Sequence, residues 1–446
     1  FQDGANSGHG TGIVLSPAIT TNITTENYIG IANAAYADGQ KATVKTTGSI
    51  ARNVPQQASA SNVLGTAVSY TSSNATYSSA TFDSNSNRVV AVYKDQGNSG
   101  YGTAVVGAVN ASDNSISFGT PVVFESASTG AVDIRATFDS NSNRVVIAYQ
   151  DNGNSSYGTA IVGTVDPSDN SISFGSAAVF ENATTTSIAI TFDSSNNKVV
   201  IFYRDEGDSN HGKTVVATVS GTSISYGSVV VFEASEAVNK LTATFDSSNN
   251  KVLIVYNSKS KVGTVSGTSI SFGSDASFHN QSTDAKQAVF DTSNNKVVIS
   301  FQDQGDNHGK VVVGTISGTS ISYGSVVEFK GDTTSDTWVG FDSNLNKIIV
   351  AFTDQSNSFY GTVIVGTVSG TSVSFGSATV FESAQSLYPT VMFDDSTNRS
   401  VILYRGLGQE GKAIVLAPAG TPEDLTIGQQ YFVQTDGTLG TSADSP

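Results

Sequence analysis

The stretch AITFDSSNNKVVIFYRDEGDSNHGKTVVATVSGTSISYGSVVVFE, residues 189–233, decides the fold. Val, Ile, Phe, Tyr and Thr fill four short runs, at 189–193, 198–205, 213–220 and 223–233, and Ser, Asn, Gly and Asp fill the gaps. β-branched and aromatic runs bounded by turn residues read as strands. No part of the stretch carries a sustained 3.6-residue apolar period. It is an up-and-down meander of four strands. Its opening phrase recurs as FDSNSNRVV at 82 and 138, FDSSNNKVV at 192, FDSSNNKVL at 245, FDTSNNKVV at 290, FDSNLNKII at 341 and FDDSTNRSV at 393. The spacings are 56, 54, 53, 45, 51 and 52 residues, and a period of about 50 is that of a four-stranded propeller blade, not of a helical solenoid.

The ends of the array show how it closes. The last copy supplies strands near 390–394, 400–405 and 411–416 and stops before a fourth, whereas LGTAVSYTSS (64–73), ahead of the first copy, aligns with the fourth strand FGTPVVFESA (118–127). The expectation is an all-β chain: a seven-bladed β-propeller of four-stranded blades over 63–418, its ring closed by an N-terminal outer strand. An open solenoid is the alternative. Residues 1–62 and 419–446 are expected to be small β flanks, the second a hairpin on the Asp-Gly turn of LTIGQQYFVQTDGTLGTSADSP (425–446). The chain begins at Phe1, and FQDGANSGHGTGIVLSPA (1–18) resembles YRGLGQEGKAIVLAPA (404–419). The N-terminal flank is therefore read as the tail of a preceding repeat module, or as a piece that completes a blade in a neighbouring molecule.

Composition narrows the function. The 446 residues include no cysteine, which excludes disulfide frameworks, thiolate metal sites and cysteine nucleophiles. With 22 basic against 38 acidic residues the net charge is −16, which excludes a protein that tracks nucleic-acid phosphates. No apolar run reaches the ~18 residues of a membrane span, so no membrane insertion is expected. Few charges and abundant Ser, Thr and Asn suit an extracellular or virion surface.

The turn after Phe-Asp is the most uniform feature. Asp83, Asp139, Asp193, Asp246, Asp291, Asp342 and Asp394 open it, and Asn87, Asn143, Asn197, Asn250, Asn295, Asn346 and Asn398 stand four residues later, each followed by Lys or Arg. Asp accepts turn amides, Asn tolerates the left-handed backbone, and the Asp and the cation are expected to pair across the turn.

Binding is expected where the copies differ. The inter-blade connections SSNATYSS (72–79), SASTGAVDIR (126–135), NQSTDAKQ (280–287), GDTTSDTW (331–338) and SAQSLYPT (383–390) vary widely. Trp338, the only tryptophan, aligns with Arg135 and Gln287, and the three form one candidate ligand site. A second pattern, Asp-x-Gly followed by Tyr-Gly or His-Gly, places Tyr101, Tyr157, His211, His308 and Tyr360 around one rim, as rings to stack on sugars or as covers for the loop glycines. Asp95, Asp151, Asp205 and Asp303 of that pattern, with Glu125, Glu181 and Glu233 of the recurring Phe-Glu, are the candidate ligands for calcium. Simple solvation of those carboxylates is the plainer alternative, and no other cofactor is indicated. No acid/base pair, metal-spaced histidines, G-x-S-x-G elbow or phosphate loop is present, so the chain is expected not to be an enzyme.

The repeat FDSxxNKVVIxYxDxGNSxYGTxxVGTVSGTSISFGSxxVFES, together with TENYIGIANAAY (25–36) and 425–446, resembles tail-fibre and related virion proteins of marine phages, especially those of cyanobacteria. The resemblance implies a phage tail fibre whose propeller face binds a cell-surface glycan or receptor, with copies of itself or other fibre proteins as partners. A cellular extracellular filament or adhesin is the alternative, and a polysaccharide-active enzyme a third.

Overall fold

The computed structural model describes residues 61–418 and, in the flanks, the strands Lys41–Thr43, Gln57–Ala58, Pro422–Glu423, Gln430–Val433 and Leu439–Gly440. The chain divides into a main unit, Leu64–Ala417, and a unit made of both flanks. Within the flank unit Lys41 pairs with Phe432, Phe432 with Gly440, and Gln57 with Glu423, all antiparallel. The expected likeness of residues 1–18 to the last hairpin lies outside the described residues.

The main unit is a series of antiparallel meanders, one for each copy of the repeat, in a β-propeller-like all-β fold. In the third meander the end of strand Ala178–Asp193 pairs with Lys198–Asp205 (Phe192 opposite Val199), which pairs with His211–Ser220 (Val199 opposite Ala217). The third strand then pairs with Ser223–Tyr226 and Val230–Glu233. Strands Val122–Asp139, Ala178–Asp193 and Val327–Asp342 each serve as the fourth strand of one meander and, without a break, the first strand of the next. Val68–Asp83 does the same between the chain's ends: Ser69 pairs with Lys412, and Phe82 with Val89. The segment ahead of the first copy thus supplies the fourth strand of the last meander.

The second strands explain the doubled valines. Val89–Tyr93, Val145–Tyr149 and Val199–Tyr203 are buried along their whole length, because neighbouring sheets cover both faces. Val146 and Ala148 of the second meander share one core cluster with Ile201 and Tyr203 of the third. A strand covered on both sides reads as a continuous apolar run instead of an alternating one.

The invariant parts of the repeat are joints between strands and between meanders. In the Tyr-Gly or His-Gly step, a Cβ on Gly158 would lie 2.4 Å from the Phe180 ring, and one on Gly361 would lie 2.3 Å from Phe381. In the Phe-Gly or Tyr-Gly step, a Cβ on Gly119, Gly175, Gly227, Gly273 or Gly324 would lie 1.9–2.1 Å from a backbone oxygen in the next meander's turn. The Asp of the first turn accepts two amides, as in Asp83 Oδ1 from Asn85 (2.9 Å) and Ser86 (3.1 Å), and the following Asn has positive φ in all seven copies (52–56°). Where the expectation paired the cation with that Asp, the arginines reach onward instead. Arg88 donates to Asn170 Oδ1 and Pro167 O, Arg144 to Gly221 O, and Arg399 to Asn114 Oδ1 and Ala111 O. A guanidinium spans the gap to a neighbouring turn carbonyl, where its planar fork finds two acceptors.

Gly376 is the exception among these glycines: its only neighbour within 4 Å is Val365 O at 3.8 Å. Gly227→Ala, whose Cβ would meet Thr268 O at 1.9 Å, is expected to lower unfolding free energy by ~1–3 kcal/mol or more through overpacking. Gly376→Ala should change it by less than ~0.5 kcal/mol. Urea titration of the two variants checks this, and equal losses would contradict the joint.

Candidate functional site

The site is built by an irregularity at the head of the first strands. Pairing with the second strand slips between Thr76 and Ser79, Thr186 and Ala189, Asp284 and Gln287, Ser335 and Trp338, and Leu387 and Thr390. Within these slips Tyr77, Ser187, Ala285, Asp336 and Tyr388 have φ of 42–54°, and Lys240 at the equivalent place has 53°. Left-handed backbone at bulky residues is uncommon, and bulges of this kind re-aim side chains. Here they turn the variable inter-meander segments toward a common space.

Two cavities occupy that space. The inner one, about 300 Å³, is lined by Ala80, Ala136, Ile190, Ala243, Ala288, Val339 and Val391, the same position of all seven first strands. The outer one, about 410 Å³, is lined by the bulged segments. Arg135 and Trp338 border both, with the guanidinium carbon 5.7 Å from the indole centroid. Gln287 borders the inner cavity, its Oε1 accepting from Thr242 Oγ1 at 3.0 Å. The structure therefore brings together the three residues that the repeat alignment grouped. Tyr77 and Tyr388 face each other at 4.9 Å across the outer cavity's wall.

The charge at this site opposes that of the whole chain. Four basic residues, Arg135, Arg204, Lys240 and Lys286, line the outer cavity against two acidic ones, Asp284 and Asp336. Asp284 pairs with Lys240 at 3.2 Å. Desolvation raises the Asp336 carboxyl above its ordinary value, against a hydrogen bond from the Tyr388 amide (3.4 Å). Lys286 is buried, its Nζ has no hydrogen-bond partner, and burial pulls its pKa down to about 7. Strongly perturbed groups lining a cleft are functional-site candidates. The sequence reading missed Lys286, Asp336 and Arg204. The signal was present for Lys286, since the equivalent first-strand position holds Ile134, Ile188 and Leu241 in three sister copies.

The remaining candidates lie elsewhere. Tyr101, Tyr157, His211, His308 and Tyr360 begin third strands, are half-buried and line neither cavity. Asp95, Asp151, Asp205 and Asp303 cap their own loops, accepting the amides of Asn98, Asn154, Gly207 and Gly305. Asp205 and Asp303 also hold Lys213 and Lys310, each at 2.6 Å. Glu125, Glu181 and Glu233 accept the phenol of the next meander, from Tyr149 (3.0 Å), Tyr203 (2.9 Å) and Tyr256 (3.1 Å). Among the described residues one cluster has ligand atoms close enough for a cation: Asp306, His308 and Glu328, all within 4.8 Å of one another, with Lys310 already 2.5 Å from Asp306.

Glu233 makes one of these joints testable by pH. Burial raises its carboxyl, but Ser235's hydrogen bonds, the Lys261 charge and the Tyr256 phenol outweigh burial and bring it down to about 2. A depressed folded value means that this stabilisation is complete above the ordinary 4.5 and is lost as pH falls toward 2. Unfolding free energy of Glu233→Gln should therefore depend less on pH than that of the parent across this window. Parallel slopes in urea melts would refute the assignment.

No protein-family model and no curated protein sequence matches the chain. Solved structures do. A protein from Lactobacillus plantarum is 11% identical with a TM-score of 0.50, over 69% of this chain and 85% of that one. A periplasmic gluconolactonase of Pseudomonas aeruginosa is 11% identical with a TM-score of 0.50, over 69% and 86%. A protein of unknown function from Dyadobacter fermentans is 10% identical over 82% and 100%, with a TM-score of 0.47.

These likenesses are of fold alone, and they correct two expectations. The proteins that share the fold are bacterial and one is periplasmic, and they overturn the expected phage tail fibre. The expectation of a non-enzyme is overturned as well, because the same fold serves a gluconolactonase. The physical reason is that linear motifs were the wrong test. The lining of the outer cavity comes from single departures in separate repeats, so no local spacing announces it.

Proposed function

We propose that the chain is a cellular, extracytoplasmic protein of the adhesin or filament kind, a closed seven-bladed β-propeller that binds an acidic saccharide in its outer cavity. The pairing of Ser69 with Lys412 and the grip of Arg399 on Asn114 support a closed ring. The periplasmic neighbour supports a place outside the cytoplasm. The observation that carries the ligand assignment is the cavity's composition. In a chain of net charge −16, its ionisable lining is four basic residues to two acidic ones, beside Trp338, Tyr77 and Tyr388. Aromatic rings offer apolar faces to a sugar ring, and arginine offers a paired donor fork to a carboxylate.

Calorimetric titration with uronate-containing and neutral oligosaccharides of equal length tests this. The acidic series should bind and weaken as salt rises. Trp338→Ala should lose about 30-fold in affinity, the ~2 kcal/mol of a buried aromatic anchor, measured at a temperature where the variant is fully folded, since Trp338 also packs on a core cluster. Equal binding of neutral sugars, or full affinity in the variant, would end the proposal.

Catalysis in the same cavity is the second reading, favoured by the buried, unpaired Lys286. The gluconolactonase neighbour makes sugar lactones the first compounds to assay. Hydrolysis releases a proton and can be followed at constant pH, and a rate no faster than in buffer would remove this reading.

A further inference from the structure

We infer that Lys286 is a carbonyl-capturing amine, which condenses reversibly with the aldehyde or keto group of a small carboxylate-bearing ligand in the outer cavity. This rests on the reading of that cavity as a ligand site.

Position supplies the first argument. Ile134, Ile188 and Leu241 at the equivalent place are 0%, 1% and 4% exposed and belong to core clusters, and Lys286 is 7% exposed in the same setting. An ammonium there is shielded from bulk solvent and has no protein acceptor, so burial favours the neutral amine. A second buried lysine provides the contrast. Lys94 is also 7% exposed, but its Nζ donates to Thr129 O at 2.7 Å, as a structural lysine does. Lys286 Nζ has no such acceptor, and the residue lines a cavity. A desolvated lysine whose amine is neutral in a substantial fraction near pH 7, on a residue that lines a cavity, is the kind that acts as a nucleophile.

The surroundings set the ligand's chemistry. Arg135 lines the same cavity and offers donors to a carboxylate, whereas the Arg204 guanidinium on its wall is already held by Thr186, Asn239 and Glu206. The charged groups around Lys286 are Asp284, which favours its protonation, and Lys240, which opposes it, with Asp336 on the facing wall. In the reaction the amine lone pair adds to the carbonyl carbon, and an amine proton passes to the oxygen to give a carbinolamine. Loss of that oxygen as water leaves the imine, and addition of water reverses it. No oxidant or reductant takes part.

The test incubates the full chain with glyoxylate and sodium cyanoborohydride, which fixes an imine as a carboxymethyl amine, and locates the product by peptide mass spectrometry. Lys286 should be labelled at least about 10-fold faster at pH 7 than Lys240, whose side chain is 57% exposed, because an ordinary lysine is only about 0.04% neutral at that pH. Its rate should rise to half-maximum near pH 7, in line with its lowered pKa. Labelling at Lys286 no faster than at Lys240 overturns the inference, and so does a rate that climbs unabated beyond pH 9. Lys286→Met should abolish the fast label, and Lys286→Arg should do so while keeping a cation. The pH profile of the parent protein decides the matter if neither variant folds. Saccharide binding without fast labelling sinks this inference and leaves the binding site standing, whereas fast labelling without saccharide binding does the reverse.

Discussion

The structure depends on close approach between backbones of adjacent meanders. Gly119, Gly175, Gly227, Gly273 and Gly324, together with Gly65 after Leu64, lie where a single methyl group would collide with the next turn's carbonyl oxygen, whereas Gly376 at the equivalent step does not. Such contacts leave no room for adjustment, because packed interiors are as dense as organic crystals and backbone cannot rotate away as a side chain can. They fix the spacing between sheets. That spacing lets Tyr149, Tyr203, Tyr256 and Tyr404 reach the Glu125, Glu181, Glu233 and Glu382 carboxylates of the sheet before. Where the tyrosine becomes Phe301 or Phe352, the glutamate becomes His279 or Lys330, so the joint changes as a pair.

This explains what was legible from the sequence. The strands, the meander and the partner of the last hairpin follow from a pattern repeated seven times, in which each copy corrects the reading of the others. The side chains of the joints were read less well, since Asp83 and Arg88 flank one turn in sequence but bond to different places. A cross-strand neighbour is only one of the acceptors within reach of a long guanidinium. The grouping of Arg135, Gln287 and Trp338 was visible because alignment of repeats is alignment in space. Lys286 was equally visible by that logic and was passed over, because a single lysine in a polar-looking segment NQSTDAKQ reads as solvated until the Ile and Leu of its sister copies are set beside it.

The electrostatics follow the same division. Most of the acidic residues serve turns, loop caps and joints, where they accept amides, phenols and ammonium groups. The outer cavity gathers basic side chains from positions at which the copies of the repeat differ. A basic pocket inside an acidic body concentrates field at its mouth, and low-dielectric walls strengthen it. Net charge alone had the wrong sign for the lining of the outer cavity.

The strand that begins at Val68 has a temporal consequence. Its outer partner, Lys412 opposite Ser69, is nearly the last part of the main unit to be synthesised, and the Thr390 bond to Ser78 spans 312 residues. Contacts of such sequence separation form late, after loop-closure entropy has been met. A growing chain thus carries an unsatisfied edge at Val68–Ser73 through the synthesis of six complete meanders. Throughout that interval the equivalent strand of another copy fits the same edge, so production of this protein is a contest between self-completion and exchange with its neighbours.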